Sequence, residues 1–559
     1  MMLHTMMNVP LTIGGILEHA ARVHANVEIV SRMPDRGWHR YTVGEFAGRV
    51  ARLASMLCDC GLRVGDRVAT LMWNHYAHLE SYFAIPAAGG VTHTLNPRMP
   101  ADNLVFVANH GGARLLIVDE ILLPVYESIR ERTHFEQVII VPFGTRVSTA
   151  ERPHAWLDYE ALIEAGRTGF RGVTADENRP VSICYTSGTS GQPKGVVYSH
   201  RALVLHAFCI ALPDVFNLSM RQTLAPVVPM FHVNGWCLPF AALLTGTRLV
   251  LPGPRLDADS LFELLAAEQV TLSAGVPSLW HGLIERLQGD DCARARLAPD
   301  LHLVVAGAAC PAAMLAALDR LNISATHAWG MTEISPVGAF GTLKPRLSEG
   351  ASEQVFSRRL KQGMPLPFVD VRIMTTDGEA AWDGSTVGEL QVRGPWVAAR
   401  YHDLPASESW TEDGWLCTGD AAHIDDEGYV QIVDRMKDLI KSGGEWISSI
   451  ELENALMGHP AVKEAAVVAR VHPKWQERPV AYVTLRDGAS ASAQALFDYL
   501  AVRFTRWWLP DAIEFIDEIP KTSTGKFQKM TLREHDAIRR AAVLSGSSMA
   551  TRNDGNGSF

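Results

Sequence analysis

Tyr185-Thr186-Ser187-Gly188-Thr189-Ser190-Gly191-Gln192-Pro193-Lys194-Gly195 is the stretch on which the reading of this chain turns. It follows a strand-like run, Val181 to Cys184, and precedes another, Val196 to Tyr198. Glycines let backbone amides approach anionic oxygens, the hydroxyls add donors, and Lys194 supplies charge. The pattern predicts a phosphate-cradling loop between two strands. Its spacing is not GxxxxGK[ST], which sets aside P-loop kinases and GTPases.

Outward from the loop, the chain alternates helical and strand-like patterns. Thr42 to Cys60 carries apolar residues at helical spacing, and Arg67 to Met72, Arg114 to Val118 and Gln137 to Val141 read as strands. The alternation predicts an α/β protein with substantial parallel sheet. A boundary falls near Asp434, where the strand-like Gly428 to Val433 gives way to a charged, glycine-containing run, Arg435 to Glu445. Beyond it, a helix over Ser449 to Met457 and strands over Ala465 to Arg470 and Val480 to Leu485 predict a compact α+β unit. The Ser-, Gly- and Asn-rich tail from Leu544 is expected to be disordered.

At 559 residues the chain is too long for a single core. A net charge of -10 argues against a general nucleic-acid binder. Eight cysteines without paired CxxC elements do not suggest zinc; most are expected as buried reduced thiols, which favours the cytoplasm. The most apolar stretch, Leu224 to Leu251, is broken by prolines, His232, Asn234 and Gly246, so no membrane span is expected. His75 and His78 lack a third metal ligand and read as ordinary polar positions on a helix.

Further motifs follow the loop in order: Pro229-Met230-Phe231-His232, His327-Ala328-Trp329-Gly330-Met331-Thr332-Glu333, Thr418-Gly419-Asp420, Asp434-Arg435-Met436-Lys437-Asp438 and Pro520-Lys521-Thr522-Ser523-Thr524-Gly525-Lys526. Together they resemble the adenylate-forming superfamily of acyl-CoA synthetases, peptide-synthetase adenylation domains and luciferases. Pro229 to Pro239 and Asp438 to Ser449 resemble bacterial medium- and long-chain fatty acid-CoA ligases, and methylmercaptopropionate-CoA ligases share both runs. The resemblance implies a large N-terminal α/β domain over 1–433, with layered sheets and a small β-barrel-like part. A hinge at 434–437, centred on Asp434, would lead to a mobile α+β domain over 438–543, and 544–559 would form the tail.

It also implies a site. ATP would lie against Thr186, Ser187, Gly188, Thr189, Ser190, Gly191, Lys194, Val233, Gly307, Ala308, Ala309, Gly330, Met331 and Thr332. Trp329 would stack on adenine, Asp420 would accept the ribose hydroxyls, and Arg435 and Lys437 would help hold ribose or phosphate. Thr186 and Glu333 would carry Mg2+, a hard cation that takes few protein oxygens. Lys526, Lys441, Glu333 and His232 are the expected catalytic residues, with Lys526 serving adenylation. Lys441 and the run Ser442, Gly443, Gly444, Glu445 and Trp446 would receive coenzyme A. Trp236 resembles an acyl gate, closing an apolar tunnel.

The expected reaction joins a medium- or long-chain fatty acid, ATP and CoA into acyl-CoA, AMP and pyrophosphate. Alternatives are a 3-methylmercaptopropionate ligase, an adenylating enzyme with a non-CoA acceptor, and a silent nucleotide- or acyl-binding module. Long-chain relatives imply a homodimer formed through the N-terminal domain.

Overall fold

The structure is a computed structural model that describes residues 5–144, 156–173, 176–186, 192–405, 408–443, 445–522 and 526–544. The chain divides into two compact units, Met1–Ile432 and Val433–Phe559.

The first unit is mixed α/β with layered sheets. One seven-stranded sheet runs, in spatial order, Trp156–Asp158, Gln137–Val141, Ala113–Asp119, Arg67–Leu71, Val91–Thr94, Pro180–Tyr185 and Gly195–Ser199. All its pairs are parallel except the last, where Pro180–Tyr185 turns back on Gly195–Ser199. A nine-stranded sheet is parallel from Ser324–Gly330 across to Glu28–Arg32 and antiparallel at both ends.

Strand residues alternate between faces, so each parallel sheet serves two cores. In Ala113–Asp119, Leu115 and Ile117 join a central core with Phe46, Leu53, Tyr82 and Phe83 of the helices Val43–Asp59 and Tyr76–Ala87. Leu116 and Val118 face the other way, onto Leu104, Val107 and Tyr126. The nine-stranded sheet sends Leu224, Leu249 and Leu272 into the central core, and Ala225, Val250 and Leu303 into a third core around the fully buried Trp280. Val43–Asp59 starts with a capping box, in which the Thr42 hydroxyl and the Glu45 carboxylate satisfy each other's backbone N–H groups.

The expected small β-barrel-like part takes the form of a row of five strands, Gly378–Glu379, Asp370–Thr375, Gly388–Arg393, Leu416–Ile424 and Val430–Arg435, the first four paired antiparallel.

The second unit is α+β. Strands Val462–His472 and Gln476–Leu485 form a long hairpin; the free edge of Gln476–Leu485 takes Ala512–Phe515 in parallel and, at Gln476, Ile440–Ser442, which pairs in turn with Glu445–Ile447. One face packs Ala465, Val467, Ala481 and Val483 on Leu452, Leu456, Leu496 and Leu500. The other packs Val468, Val480 and Tyr482 on Ile519 and Leu532.

Two sequence expectations need correction. His75 and His78 are not ordinary polar positions on a helix, because both are wholly buried and His75 stands at the cap before it. His75 caps the helix Tyr76–Ala87 and donates from Nε2 to Asp119 Oδ1 at 2.8 Å. His78 donates to the Trp73 carbonyl at 3.0 Å and accepts from Thr70 at 3.1 Å, and burial lowers it to about 3. They staple helix to sheet. All eight cysteines are free, but only Cys184, Cys209, Cys237 and Cys310 are buried, and Cys292 is exposed. Its short helix, Asp291–Arg296, lacks the apolar pattern that would turn it inward.

Candidate active site

The loop hangs between the antiparallel strands Pro180–Tyr185 and Gly195–Ser199, with Tyr185 paired to Gly195. Its neck is closed by backbone and side chain together. Thr186 N–H donates to the Lys194 carbonyl at 2.9 Å, and Lys194 N–H donates to the Thr186 hydroxyl at 3.0 Å. Ser187, Gly188, Thr189, Ser190 and Gly191 lie outside the described residues, as does Gly444.

Glu333 sits in a single turn of 3-10 helix, Thr332–Ile334, after the strand Ser324–Gly330. The preceding glycine is dictated by a close approach: a Cβ at Gly330 would lie 1.9 Å from the Pro336 carbonyl oxygen. Met331 N–H donates to that same oxygen at 2.9 Å, and the Thr332 carbonyl accepts from Tyr198 at 2.7 Å. Glu333 is 5% exposed, and its Oε1 accepts the Tyr401 hydroxyl at 2.6 Å. The ring of Tyr401 also lies beneath Lys194, whose Nζ stands 4.7 Å from its centroid. Two motifs separated by well over a hundred residues therefore meet on one tyrosine.

Trp329 and Asp420 are brought together directly, the indole N–H donating to Oδ2 at 2.9 Å. Both are buried, with the Trp329 ring packed over Gly338. Gly307, Ala308 and Ala309 follow the strand His302–Val305, and Ala308 is exposed. The aromatic of Trp236 comes 3.9 Å from where a Cβ on Gly307 would stand.

His232 leads into an unusual segment. Val233, Asn234, Gly235, Trp236 and Cys237 have φ of 46, 51, 60, 57 and 62°, a left-handed turn carrying four non-glycine residues. Such residues rarely adopt this region, a β-branched valine least of all. Hydrogen bonds anchor the segment. Asn234 Oδ1 accepts from Ser182 at 2.7 Å, Met230 N–H donates to Asn74 Oδ1 at 2.7 Å, and the Asn74 amide donates to the Pro226 and Val228 carbonyls. Ser182 belongs to the strand that delivers the phosphate loop.

In the second unit, Ile440–Ser442 and Glu445–Ile447 make a hairpin that pairs Lys441 with Trp446 and Ser442 with Glu445. The two-residue connection starts at Gly443, with φ +63°, where a Cβ would lie 2.9 Å from the Trp475 ring. Lys441 Nζ is 5.5 Å from the Trp446 ring centroid, and Trp446 and Trp475 are 50% and 42% exposed. Arg478 donates to the Ser442 hydroxyl at 3.1 Å. Lys526 closes a small loop: its N–H donates to Thr522 Oγ1 at 3.2 Å and its carbonyl accepts from Thr522 N–H at 2.7 Å.

Asp434 is 1% exposed. Its Oδ2 accepts from Ser449 N–H at 2.6 Å and Ser449 Oγ at 2.5 Å, and its Oδ1 accepts from Arg435 N–H at 2.8 Å. Lys529 donates to Ser449 Oγ at 2.6 Å and pairs with Glu453 at 2.6 Å. Burial raises both acids, Glu453 to about 7, against the pull of the Lys529 ammonium. Arg435 and Lys437 flank this cluster on the same segment, and burial lowers Lys437.

Sequence reading missed Tyr401, Trp475, Arg478, Ser449 and Lys529. Among the described residues no group of three or more His, Cys, Asp or Glu could hold a metal. Thr186 and Glu333 offer oxygen donors only, which fits Mg2+ completed by phosphate oxygens. No described helix is long and apolar enough to cross a membrane.

Residues 17–402 match the model of the AMP-binding enzyme family, and residues 451–526 match the AMP-binding enzyme C-terminal domain. A long-chain-fatty-acid–CoA ligase of Thermus thermophilus is 45% identical, over 95% of this chain and 96% of its own. A medium-chain-fatty-acid–CoA ligase of Ectopseudomonas oleovorans and a 3-methylmercaptopropionyl-CoA ligase of Ruegeria lacuscaerulensis are each 41% identical over 95% of this chain, covering 97% and 98% of their own. The crystal structure of an anthranilate CoA ligase in complex with anthranoyl-AMP has the same fold, with TM-score 0.83 at 24% identity, covering 96% of this chain and 99% of that one. With the matched model spanning most of the chain and relatives of this identity running nearly end to end, the chain belongs to the AMP-binding enzyme family.

Proposed function

We propose that this protein is an AMP-forming acyl-CoA ligase that activates a medium- or long-chain fatty acid. A carboxylate oxygen attacks the α-phosphorus of ATP, the bond to the bridging oxygen breaks, and pyrophosphate leaves. The CoA sulfur, losing its proton, then attacks the acyl carbon and AMP departs with the bonding pair. The observation that carries the reading is the meeting of the loop lysine Lys194 and the carboxylate Glu333 on Tyr401, with Trp329 and Asp420 hydrogen-bonded to each other.

The chemistry brings anions together, so the protein's part is positioning and charge stabilisation. Thr186, Lys194 and the loop amides would receive phosphate oxygens. Trp329 would face adenine and Asp420 the ribose hydroxyls. Mg2+, when bound at Thr186 and Glu333, neutralises phosphate charge. Lys526 would stabilise the attacked α-phosphate and orient the carboxylate. The second half-reaction would use the hairpin around Gly443, with Lys441, Trp446, Trp475 and Arg478 offering charge and aromatic faces to CoA. Asp434 would be the hinge that exchanges the two surfaces. His232 and Trp236 would stand between nucleotide and acyl chain. By likeness to long-chain ligases we further infer a cytoplasmic homodimer formed through the first unit, to be checked by sedimentation.

The decisive experiment measures pyrophosphate release and CoA-dependent AMP formation over a panel of acids, from a three-carbon thioether to long acyl chains. Highest kcat/KM on medium or long chains is expected. A preference for the short thioether acid, with loss of activity on longer chains, would overturn the substrate assignment. Carboxylate-independent AMP formation would overturn the reaction.

A further inference from the structure

We propose that Tyr401 is a positioning residue of the adenylation site, a neutral spacer that fixes the Glu333 carboxylate and keeps Lys194 from pairing with it. The inference rests on the adenylation reading above. Tyr401 is 8% exposed and follows the segment that carries Ala398. Ala398 N–H donates to the Glu333 backbone carbonyl at 2.7 Å, and the Ala398 carbonyl accepts from Trp410 Nε1 at 2.7 Å. Trp410 meets the Tyr401 ring edge-on at 4.9 Å. On the other side His402 N–H donates to the Gly195 carbonyl at 2.8 Å, at the base of the phosphate loop. Ala398 and His402, on either side of Tyr401 in the chain, are thus hydrogen-bonded to the backbone of the two motifs it joins.

A glutamate carboxylate turns freely about its last torsion unless something holds it. The Tyr401 hydroxyl holds Oε1 and thereby sets the plane of the group. A phenol is an uncharged donor at ordinary pH, so it orients the carboxylate without adding charge. Lys194 faces the ring rather than a carboxylate, and the described residues include no ion pair for it. A cation held by an aromatic face keeps its whole charge for an incoming phosphate. An acid in place of the phenol would bind Lys194 and consume both charges.

The test compares Tyr401→Phe and Tyr401→Leu in the full-length protein. Binding of Mn2+ with a non-hydrolysable ATP analogue is read by electron paramagnetic resonance, and metal-free nucleotide binding by calorimetry. Tyr401→Phe keeps the ring and should weaken Mn2+ binding roughly tenfold, the scale of one hydrogen bond to a charged group, while leaving metal-free nucleotide affinity unchanged. In a Glu333→Gln background the same substitution should have no further effect. Tyr401→Leu should weaken nucleotide binding as well. Unchanged Mn2+ affinity in Tyr401→Phe, or equal losses with and without Glu333, would overturn the proposal. If the wild-type protein released no pyrophosphate with any acid, the adenylation reading itself would fail. A wild type that works beside a normal Tyr401→Phe would defeat only the spacer.

Discussion

Glu333 and Asp434 are both carboxylates taken almost wholly out of water, at 5% and 1% exposure, yet they are held in opposite ways. Asp434 has both oxygens occupied, by two backbone amides and a serine hydroxyl, with the Lys529 ammonium bridging through that serine to Glu453. Glu333 receives one side-chain hydrogen bond among the described residues, from an uncharged phenol. A saturated buried carboxylate is a fastening. A buried carboxylate left short of donors has room for another partner, which in the function proposed above would be a cation. The two are the same chemistry put to stability and to function.

The largest expected effect on activity tests the Glu333 half. Glu333→Gln should lower the adenylation rate by roughly 10²–10³, the scale of removing one electrostatic stabiliser. Its urea-unfolding free energy should move by less than about 1 kcal/mol, since an amide relieves a buried charge. A large loss of stability would erase the distinction between the two acids.

Lys529→Met should do the reverse. Removing one partner of a buried pair costs about 3–5 kcal/mol, because Glu453 and Asp434 would be left facing each other with little solvent. Denaturant titration of the full chain checks this. A variant as stable as the parent would show the Asp434 cluster to be no fastening.

Gly443→Ala sharpens the contrast within the second unit. A side chain there meets the Trp475 ring in a left-handed turn, so the hairpin must shift. The expected result is a roughly tenfold rise in KM for CoA, about 1.4 kcal/mol, with carboxylate-dependent pyrophosphate release unchanged. An equal loss in both half-reactions would argue against a separate CoA surface.

The last expected effect is a slope. Glu453 titrates near 7 in the folded chain against an ordinary value of 4.5. Between these values the folded state holds more protons than the unfolded, so stability falls as pH rises through that window. Glu453→Gln should flatten the fall. A slope that survives the substitution would place the titration elsewhere.

What could be read in advance followed periodicity and local chemistry. The helix Ser449–Met457 and the strand Gln137–Val141 appear where their patterns put them, and Tyr185 to Gly195 opens between the two predicted strands. Partnership across the chain was harder. Tyr401 meets Glu333 across 68 residues and Lys529 meets Ser449 across 80, and neither residue type announces such a role. The two histidines misled for the same reason: Asp119, which claims His75, lies 44 residues on. A polar residue's neighbours in sequence do not reveal whether it will be paid for by a partner in space.

The turn at Val233–Cys237 has a consequence for how this region is compared and engineered. A chain wound against its own handedness reverses the sense in which successive side chains rotate about the axis. A helical wheel drawn for this segment therefore assigns His232, Trp236 and their neighbours to the wrong faces. Each non-glycine residue there costs roughly 1–2 kcal/mol against the right-handed form, so the four together weigh as much as a sizeable part of a domain's net stability. Val233 is also 2% exposed within the central core, so glycine there would relieve the strain but forfeit a buried side chain, and screens for a hardier enzyme should leave this turn unchanged.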